Sequence, residues 1–133
     1  MQLPEITPAD IEALLRFLPV FSRPGVEYIL RWAGGERTEE GDISTPYPVY
    51  ADEVPAFFAL AGQPCWSDFT YHPAEACALL EDDARLATAT LAQCKTLLTY
   101  CVRGERFCDG FWGELLRSGK LVKLLERLAA LQE

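Results

Sequence analysis

The sequence lacks the residue spacings that mark most catalytic and metal sites. Its 133 residues include a single histidine, His72, and contain no C-x-x-C pair and no H-x-x-x-H pair, which excludes a zinc site of standard spacing. It also has no G-x-G-x-x-G turn, no phosphate-binding loop and no G-x-S-x-G elbow. We therefore expect neither a bound metal nor a cofactor.

Long apolar runs are also missing. None approaches the roughly 20 residues that a membrane helix needs, and the first residues, Met1–Ile6, show neither a basic nor an apolar segment of a signal peptide. The five cysteines are an odd number, which fits reduced thiols better than a disulfide framework. The expected location is the cytoplasm, with no membrane contact.

Basic residues are in the minority. Twelve lysines and arginines stand against 20 acidic residues, which gives a formal net charge of −8. A basic face is what attracts a nucleic-acid backbone, so a nucleic-acid partner is disfavoured.

What the sequence does have is apolar residues at helical spacing. Half of the residues are hydrophobic, a composition typical of a folded globular domain. We predict one all-α domain over residues 1–133, an irregular bundle of six to seven short helices with two long loops rich in proline and aromatic residues. The predicted helices cover about 7–18, 24–33, 52–61, 73–81, 90–104, 109–117 and 120–132.

The ends of these helices carry their own signals. Thr7 followed by Pro8 is a favoured start, and Thr90 with Gln93 forms a capping box. The two loops cover residues 34–51 and 63–72. Within the first, Pro46 and Pro48 predict an extended segment that is not a central strand.

We expect any catalytic or ligand-binding site to lie where the helix junction at 103–112 meets the loop at 66–71. One interpretation is a pocket in which Arg103 and Arg106 bind an anion and Cys108, near a helix start capped by Asp109, acts as a nucleophile. The other is structural, with acidic side chains pairing the arginines and rings anchoring the loop. The candidate residues are Trp66, Asp68, Tyr71, Arg103, Glu105, Arg106, Cys108, Asp109 and Trp112.

Three stretches of the chain resemble a known family. They are the segments 46–50, 62–68 and 99–110, which read PYPVY, GQPCWSD and TYCVRGERFCDG. They are similar to a family of small bacterial proteins catalogued as domain of unknown function 6508. The resemblance implies a stand-alone bacterial domain and transfers no activity.

These observations favour a non-enzymatic module that binds another protein or itself. The leucine-rich helix at 120–132 is the predicted surface for self-association. The alternative is a protein, with or without catalytic activity, that binds a small molecule or anion between the Trp66–Tyr71 loop and the Arg103–Trp112 junction.

Overall fold

The computed structural model describes residues 5–34, 41 and 46–132, and it folds them mainly into helices. The helices are α1 (Pro8–Leu15), α2 (Leu18–Phe21), α3 (Glu53–Ala61), α4 (Pro73–Glu81), α5 (Asp83–Ala87), α6 (Leu91–Phe107), α7 (Phe111–Arg117) and α8 (Lys120–Leu131). Two strands, β1 (Ile29–Ala33) and β2 (Tyr47–Tyr50), and a 3-10 turn at Pro64–Trp66 complete the described elements.

Local capping signals predicted several helix starts correctly. The Thr7 hydroxyl accepts a hydrogen bond from the Asp10 amide, and the Asp10 carboxylate accepts one from the Thr7 amide at 2.8 Å. Thr90 and Gln93 form the same reciprocal pair at the start of α6. These contacts satisfy amide donors that have no partner inside a helix.

Two helix ends and one additional helix differ from the prediction. Helix α1 ends at Leu15, and Pro19 lies in the first turn of α2 rather than ending α1. Helix α5 was not predicted at all. Gly104 does not end α6, which continues to Phe107.

The all-α prediction is correct only in part, because the described residues include a β-hairpin. The predicted helix at 24–33 is wrong: Ile29–Ala33 is strand β1, paired antiparallel with β2. The extended geometry predicted around Pro46 and Pro48 is confirmed at Tyr47–Tyr50. Valine, isoleucine, tyrosine and tryptophan suit a strand, and a partner strand distant in sequence decided the outcome.

Helix α8 lies at the centre of the core. It contacts α1, α2, α5, α6 and α7, and its four inward leucines are at most 1% exposed: Leu121, Leu124, Leu125 and Leu128. A cluster of rings from α2 and α3 joins this core, with Phe21 and Phe57 in edge contact at 5.4 Å. The leucine stripe seen in the sequence is therefore interior packing.

Part of the first predicted loop lies outside the described residues. Residues 35–40 and 42–45 of the 34–51 segment belong to that part. Across the ranges that are described, no helix has the length and hydrophobicity needed to span a membrane.

Candidate functional site

The second predicted loop lies along one face of α6. Trp66 is buried, and its carbonyl accepts a hydrogen bond from the Thr99 hydroxyl at 3.0 Å. The same hydroxyl accepts one from the Asp68 amide at 2.9 Å. The Asp68 carboxylate accepts from the Thr96 hydroxyl at 2.7 Å and from Thr70. Trp66 and Asp68 thus fix the loop to the helix.

These hydroxyl contacts also act on the charge of Asp68. The hydrogen bond from Thr96, supported by those from Thr70, lowers the pKa of the Asp68 carboxyl below its usual value. The carboxylate is therefore ionised and already hydrogen-bonded, which makes it an anchor for the loop rather than an available base.

Arg103 lies one turn beyond Thr99 on this face of α6. Its guanidinium carbon is 5.7 Å from the centre of the Phe69 ring and 5.3 Å from that of Tyr71. At such distances a cation over the face of an aromatic ring is attracted by the ring's π-electrons. Arg103 and Tyr71 therefore meet in a contact between the guanidinium and the ring.

Glu105 lies on a different face of α6 and reaches the start of α7. One carboxylate oxygen accepts hydrogen bonds from the Tyr50 hydroxyl at 2.7 Å and from the Trp112 amide at 2.9 Å. The other accepts from the Gly110 amide at 2.8 Å. A negative group at the amide end of a helix is stabilised by the unpaired N–H groups there.

Tyr50 links the hairpin to this arrangement. Its hydroxyl donates to Glu105 and accepts from the Gly113 amide at 3.2 Å. Burial, together with the Glu105 contact, raises the pKa of the Tyr50 phenol well above its ordinary value. The hydroxyl is therefore protonated at neutral pH and serves as a donor to the carboxylate.

The predicted cap at Asp109 is wrong. Helix α7 begins at Phe111 after Gly110, whose φ of 90° is in the left-handed region, and the α7 cap has no side-chain hydrogen bond of its own. Cys108 lies at the end of α6 rather than at a helix start. Both Cys108 and Asp109 are exposed on the turn between the two helices.

Trp112 is held on both sides. Its ring stacks on Phe58 with centres 4.2 Å apart, and its Nε1 donates to the Cys101 carbonyl at 2.9 Å. Trp112, Glu105 and Arg106 line a shallow depression of about 400 Å³ with residues of α3. Trp66, Asp68, Tyr71 and Arg103 do not line it.

The nine candidate residues thus form two groups on different faces of α6, with Cys108 and Asp109 on the following turn. Among the described residues, no ion pair joins Arg103 or Arg106 to Glu105 or Asp109. Nor do three histidine, cysteine or acidic side chains gather there as a metal site would require.

Two of the cysteines, Cys94 and Cys101, lie in the core. Removal from water raises the pKa of the Cys94 thiol to about 11 and that of Cys101 to about 12. Both side chains are fully buried, which matches the expectation that they act as small apolar residues.

Three of the five large exposed apolar side chains of the described chain lie on the hairpin, which sequence reasoning missed. Leu30 is 64% exposed, Trp32 52% and Tyr47 53%, and the other large exposed apolar residues of the described chain are Phe69 and Phe107. The helix predicted at 24–33 would have placed Leu30 inward. The strand-favouring residues from Val26 to Trp32 were the signal that could have revealed this surface.

A groove of about 700 Å³ follows β1. Residues 23–28 and β1 line one side, and Gly113, Leu116 and Arg117 of α7 line the other. The hairpin is seated on α7 through Ile29, which fills the space where Gly113 lacks a β-carbon. Strand β1 therefore forms part of the wall of the groove.

The comparisons with known proteins agree with the resemblance seen in the sequence. No curated protein and no solved structure matches the chain. The model of a family of unknown function, DUF6508, matches residues 6–133, which is nearly the whole chain. The chain therefore belongs to the DUF6508 family.

Proposed function

We propose that this protein is a non-enzymatic protein-interaction module whose contact surface is the hairpin. The observation that carries the proposal is the exposure of Leu30, Trp32 and Tyr47 on this one element. Large exposed apolar side chains are typical of interaction sites, and tryptophan and tyrosine contribute strongly to binding energy. Trp32 pairs with Pro48 and Ala33 with Tyr47, so Trp32 and Tyr47 lie on opposite faces of the hairpin and each face presents an aromatic ring. The groove beside β1 adds a concave surface to the same region.

The C-terminal helix receives less support as the contact surface. Leu124, Leu125 and Leu128 are 0% exposed because other helices of the same chain cover them. Presenting these leucines to a second copy would require α8 to leave the core. The hairpin, and not α8, is therefore the proposed contact surface.

The alternative, a small-molecule or anion-binding protein, also receives less support. The amides that would attract an anion at the start of α7 already bind the Glu105 carboxylate. Arg103 faces Phe69 and Tyr71 instead. No specific observation at these residues favours a bound ligand.

We further propose that the module works in a reducing cytoplasm. All five cysteines are free, and disulfides are rare in that compartment. Cys101 is buried in the core with no cysteine partner.

Photo-cross-linking from the hairpin tests the proposal. A photoreactive phenylalanine analogue replaces Trp32 in one variant and Phe107 in another, and both are expressed in the cells that make the protein. Phe107 is 84% exposed, more than Trp32, so exposure alone predicts more cross-links at 107. We expect discrete cross-linked proteins from position 32 and few from position 107. Equal labelling at both positions, or none at position 32, would contradict the proposal.

A further inference from the structure

We infer that the partner binds as an extended acidic segment, which adds a strand to the open edge of β1 and lies in the groove beside it. This inference rests on the proposed function and names the chemistry of the partner. The partner is another protein, and an extended peptide segment of it pairs with the exposed strand edge.

The main-chain hydrogen bonding of β1 leaves one edge of the strand open. Trp32 pairs with Pro48 of β2, and proline has no amide hydrogen to donate. Hydrogen-bonded and non-hydrogen-bonded pairs alternate in an antiparallel ladder, so Trp32 occupies a non-hydrogen-bonded position. Its N–H and C=O therefore point away from β2.

Nothing else in the described part of the chain uses this edge. The sheet consists of β1 and β2 there, and no backbone hydrogen bond outside the hairpin involves Trp32. An unpaired strand edge offers donors and acceptors to an incoming strand. An added strand would thus find main-chain partners at Trp32.

The groove beside β1 is lined by more basic than acidic side chains. Three arginines line it, Arg23, Arg31 and Arg117, against one acidic residue, Glu27, although the chain as a whole carries −8. Arginine binds carboxylates through its planar set of donors. The side chains that line the groove, three arginines and one glutamate, therefore have a formal charge of +2 on a protein that is acidic overall.

Two of these arginines already have exposed acidic neighbours. Arg23 lies 3.6 Å from a Glu53 oxygen, and Arg117 lies 3.0 Å from a Glu114 oxygen. Such solvent-exposed pairs are weak, so a carboxylate of the bound segment can replace them. The apolar side chains of the segment would meet Leu30 and Leu116, which both line the groove.

The same charges argue against a second copy as the occupant. A symmetric pair formed edge to edge through β1 would bring the same surface of both copies together. The arginines of the two grooves would then face each other, and like charges across an interface disfavour it. An acidic segment has the opposite sign.

Peptide binding tests this inference. A fluorescein-labelled peptide alternating glutamate with valine is titrated with the full chain, and fluorescence anisotropy is measured. Two controls are a peptide alternating lysine with valine and a glutamate–valine peptide N-methylated on its valines, which removes donors for strand pairing. We expect the first peptide to bind at least about tenfold more tightly than either control.

Charge reversal at the groove supplies the matched variants. Arg31→Glu and Arg117→Glu should each weaken binding of the glutamate–valine peptide roughly fivefold. Arg85→Glu makes the same charge change on α5, away from the groove, and should leave binding unchanged. All three positions are exposed, so circular dichroism should show the same helix content in each variant.

Three outcomes would overturn the inference. They are equal binding of the acidic and basic peptides, unchanged binding by the N-methylated peptide, and a dimer detected by sedimentation that blocks peptide binding. In each case hairpin cross-links from position 32 would leave the proposed function standing, so the two failures are distinguishable.

Discussion

At the scale of single residues, Glu105 joins three parts of the chain through one side chain. Its carboxylate contacts the hairpin through Tyr50 and the start of α7 through the amides of Gly110 and Trp112. Hydrogen bonds to an ionised acceptor are stronger than neutral ones. Glu105, one of the charged residues of the helix junction at 103–112, therefore connects these elements structurally.

Replacing Glu105 by glutamine should destabilise the protein. The amide nitrogen of the new side chain cannot accept a hydrogen bond, so one donor loses its partner. We expect a loss of about 1–3 kcal/mol in the free energy of unfolding, measured by urea denaturation. Glu126→Gln makes the same change on an exposed face of α8 and should stay within about 0.5 kcal/mol. A similar loss in both variants would contradict the assigned role of Glu105.

Gly104 is the second residue whose role depends on a neighbour. A β-carbon at this position would overlap the ring of Phe111, which packs directly over it. Alanine normally favours a helix by about 1 kcal/mol over glycine. Here we expect Gly104→Ala to destabilise the protein by roughly 1–3 kcal/mol instead, because the ring must move.

A double variant tests that explanation for Gly104. With Phe111→Ala already present, the overlap is gone, so Gly104→Ala should become neutral or stabilising by up to about 1 kcal/mol. Urea denaturation of the four proteins of the cycle gives the coupling. An unchanged cost in the Phe111→Ala background would place the strain elsewhere.

At the scale of elements, the hairpin depends on α7 for its stability. A two-stranded hairpin alone is at best marginally stable in water. Here Ile29 covers Gly113 and Tyr50 shares hydrogen bonds with Glu105 and Gly113. The proposed contact surface is thus held in place by residues that lie outside it.

Tyr50→Phe should loosen the hairpin without unfolding the bundle. The variant keeps the ring and loses the hydroxyl that donates to Glu105 and accepts from Gly113, at a local cost of about 1–3 kcal/mol. Hydrogen exchange should become faster in β1 and β2 and stay unchanged in α8. Tyr47→Phe, on the exposed end of β2, is the control and should leave both unchanged. Faster exchange in α8 as well would show that the hairpin and the core open together.

At the scale of the whole molecule, α8 is the element on which the core depends. Leu128 has no exposed surface, so Leu128→Ala should lower the free energy of unfolding by about 2–5 kcal/mol. Glu126→Ala, two residues away and exposed, should change it by no more than about 0.5 kcal/mol. Urea denaturation followed by circular dichroism measures both. A small effect at Leu128 would mean that α8 is peripheral.

The stability of the fold should also fall at both ends of the pH range. The buried thiols of Cys94 and Cys101 have pKa values raised from 9.0 to about 11 and about 12, so the folded state holds their protons more tightly than the unfolded state. Their contribution is complete below pH 9 and is lost as the pH rises toward those values.

The Asp68 and Asp83 carboxyls have lowered pKa values, the latter because of hydrogen bonds from Lys120 and Lys123. Their contribution is present above pH 3.8 and is lost below it.

Urea denaturation at a series of pH values measures this profile. The double variant Cys94→Ala, Cys101→Ala has no buried thiols there, so its stability should fall less steeply just above pH 9 than that of the wild type. Identical alkaline slopes in the two proteins would rule the thiols out as the cause.

Elements with local signals were predictable from the sequence alone. The capping boxes at Thr7 and Thr90 and the proline at the start of α4 mark helix starts within a few residues. The leucine spacing of 120–132 likewise fixed α8 and its buried face. In each case the interacting groups lie within one or two helical turns, so the pattern of neighbouring residues contains the information.

Elements that depend on distant partners were not predictable. The apolar residues around Ile29 fit either a helix or a strand. The segment forms a strand because it pairs with β2, where Tyr50 is the partner of Ile29. Gly104 lies inside α6 under the ring of Phe111, a contact that the local spacing did not reveal. Glu105 accepts hydrogen bonds from amides at the start of α7 instead of pairing with an arginine.

The sequence by itself determined a mainly helical bundle, its buried leucines and cysteines, and the family to which the chain belongs. Each of these depends only on residue types and on spacings of a few residues. Only the tertiary structure decided where the apolar side chains remain exposed. It buried the stripe of α8 and left Leu30 and Trp32 on a strand edge. Exposure depends on which elements pack together, and that packing is set by contacts between residues far apart in the chain.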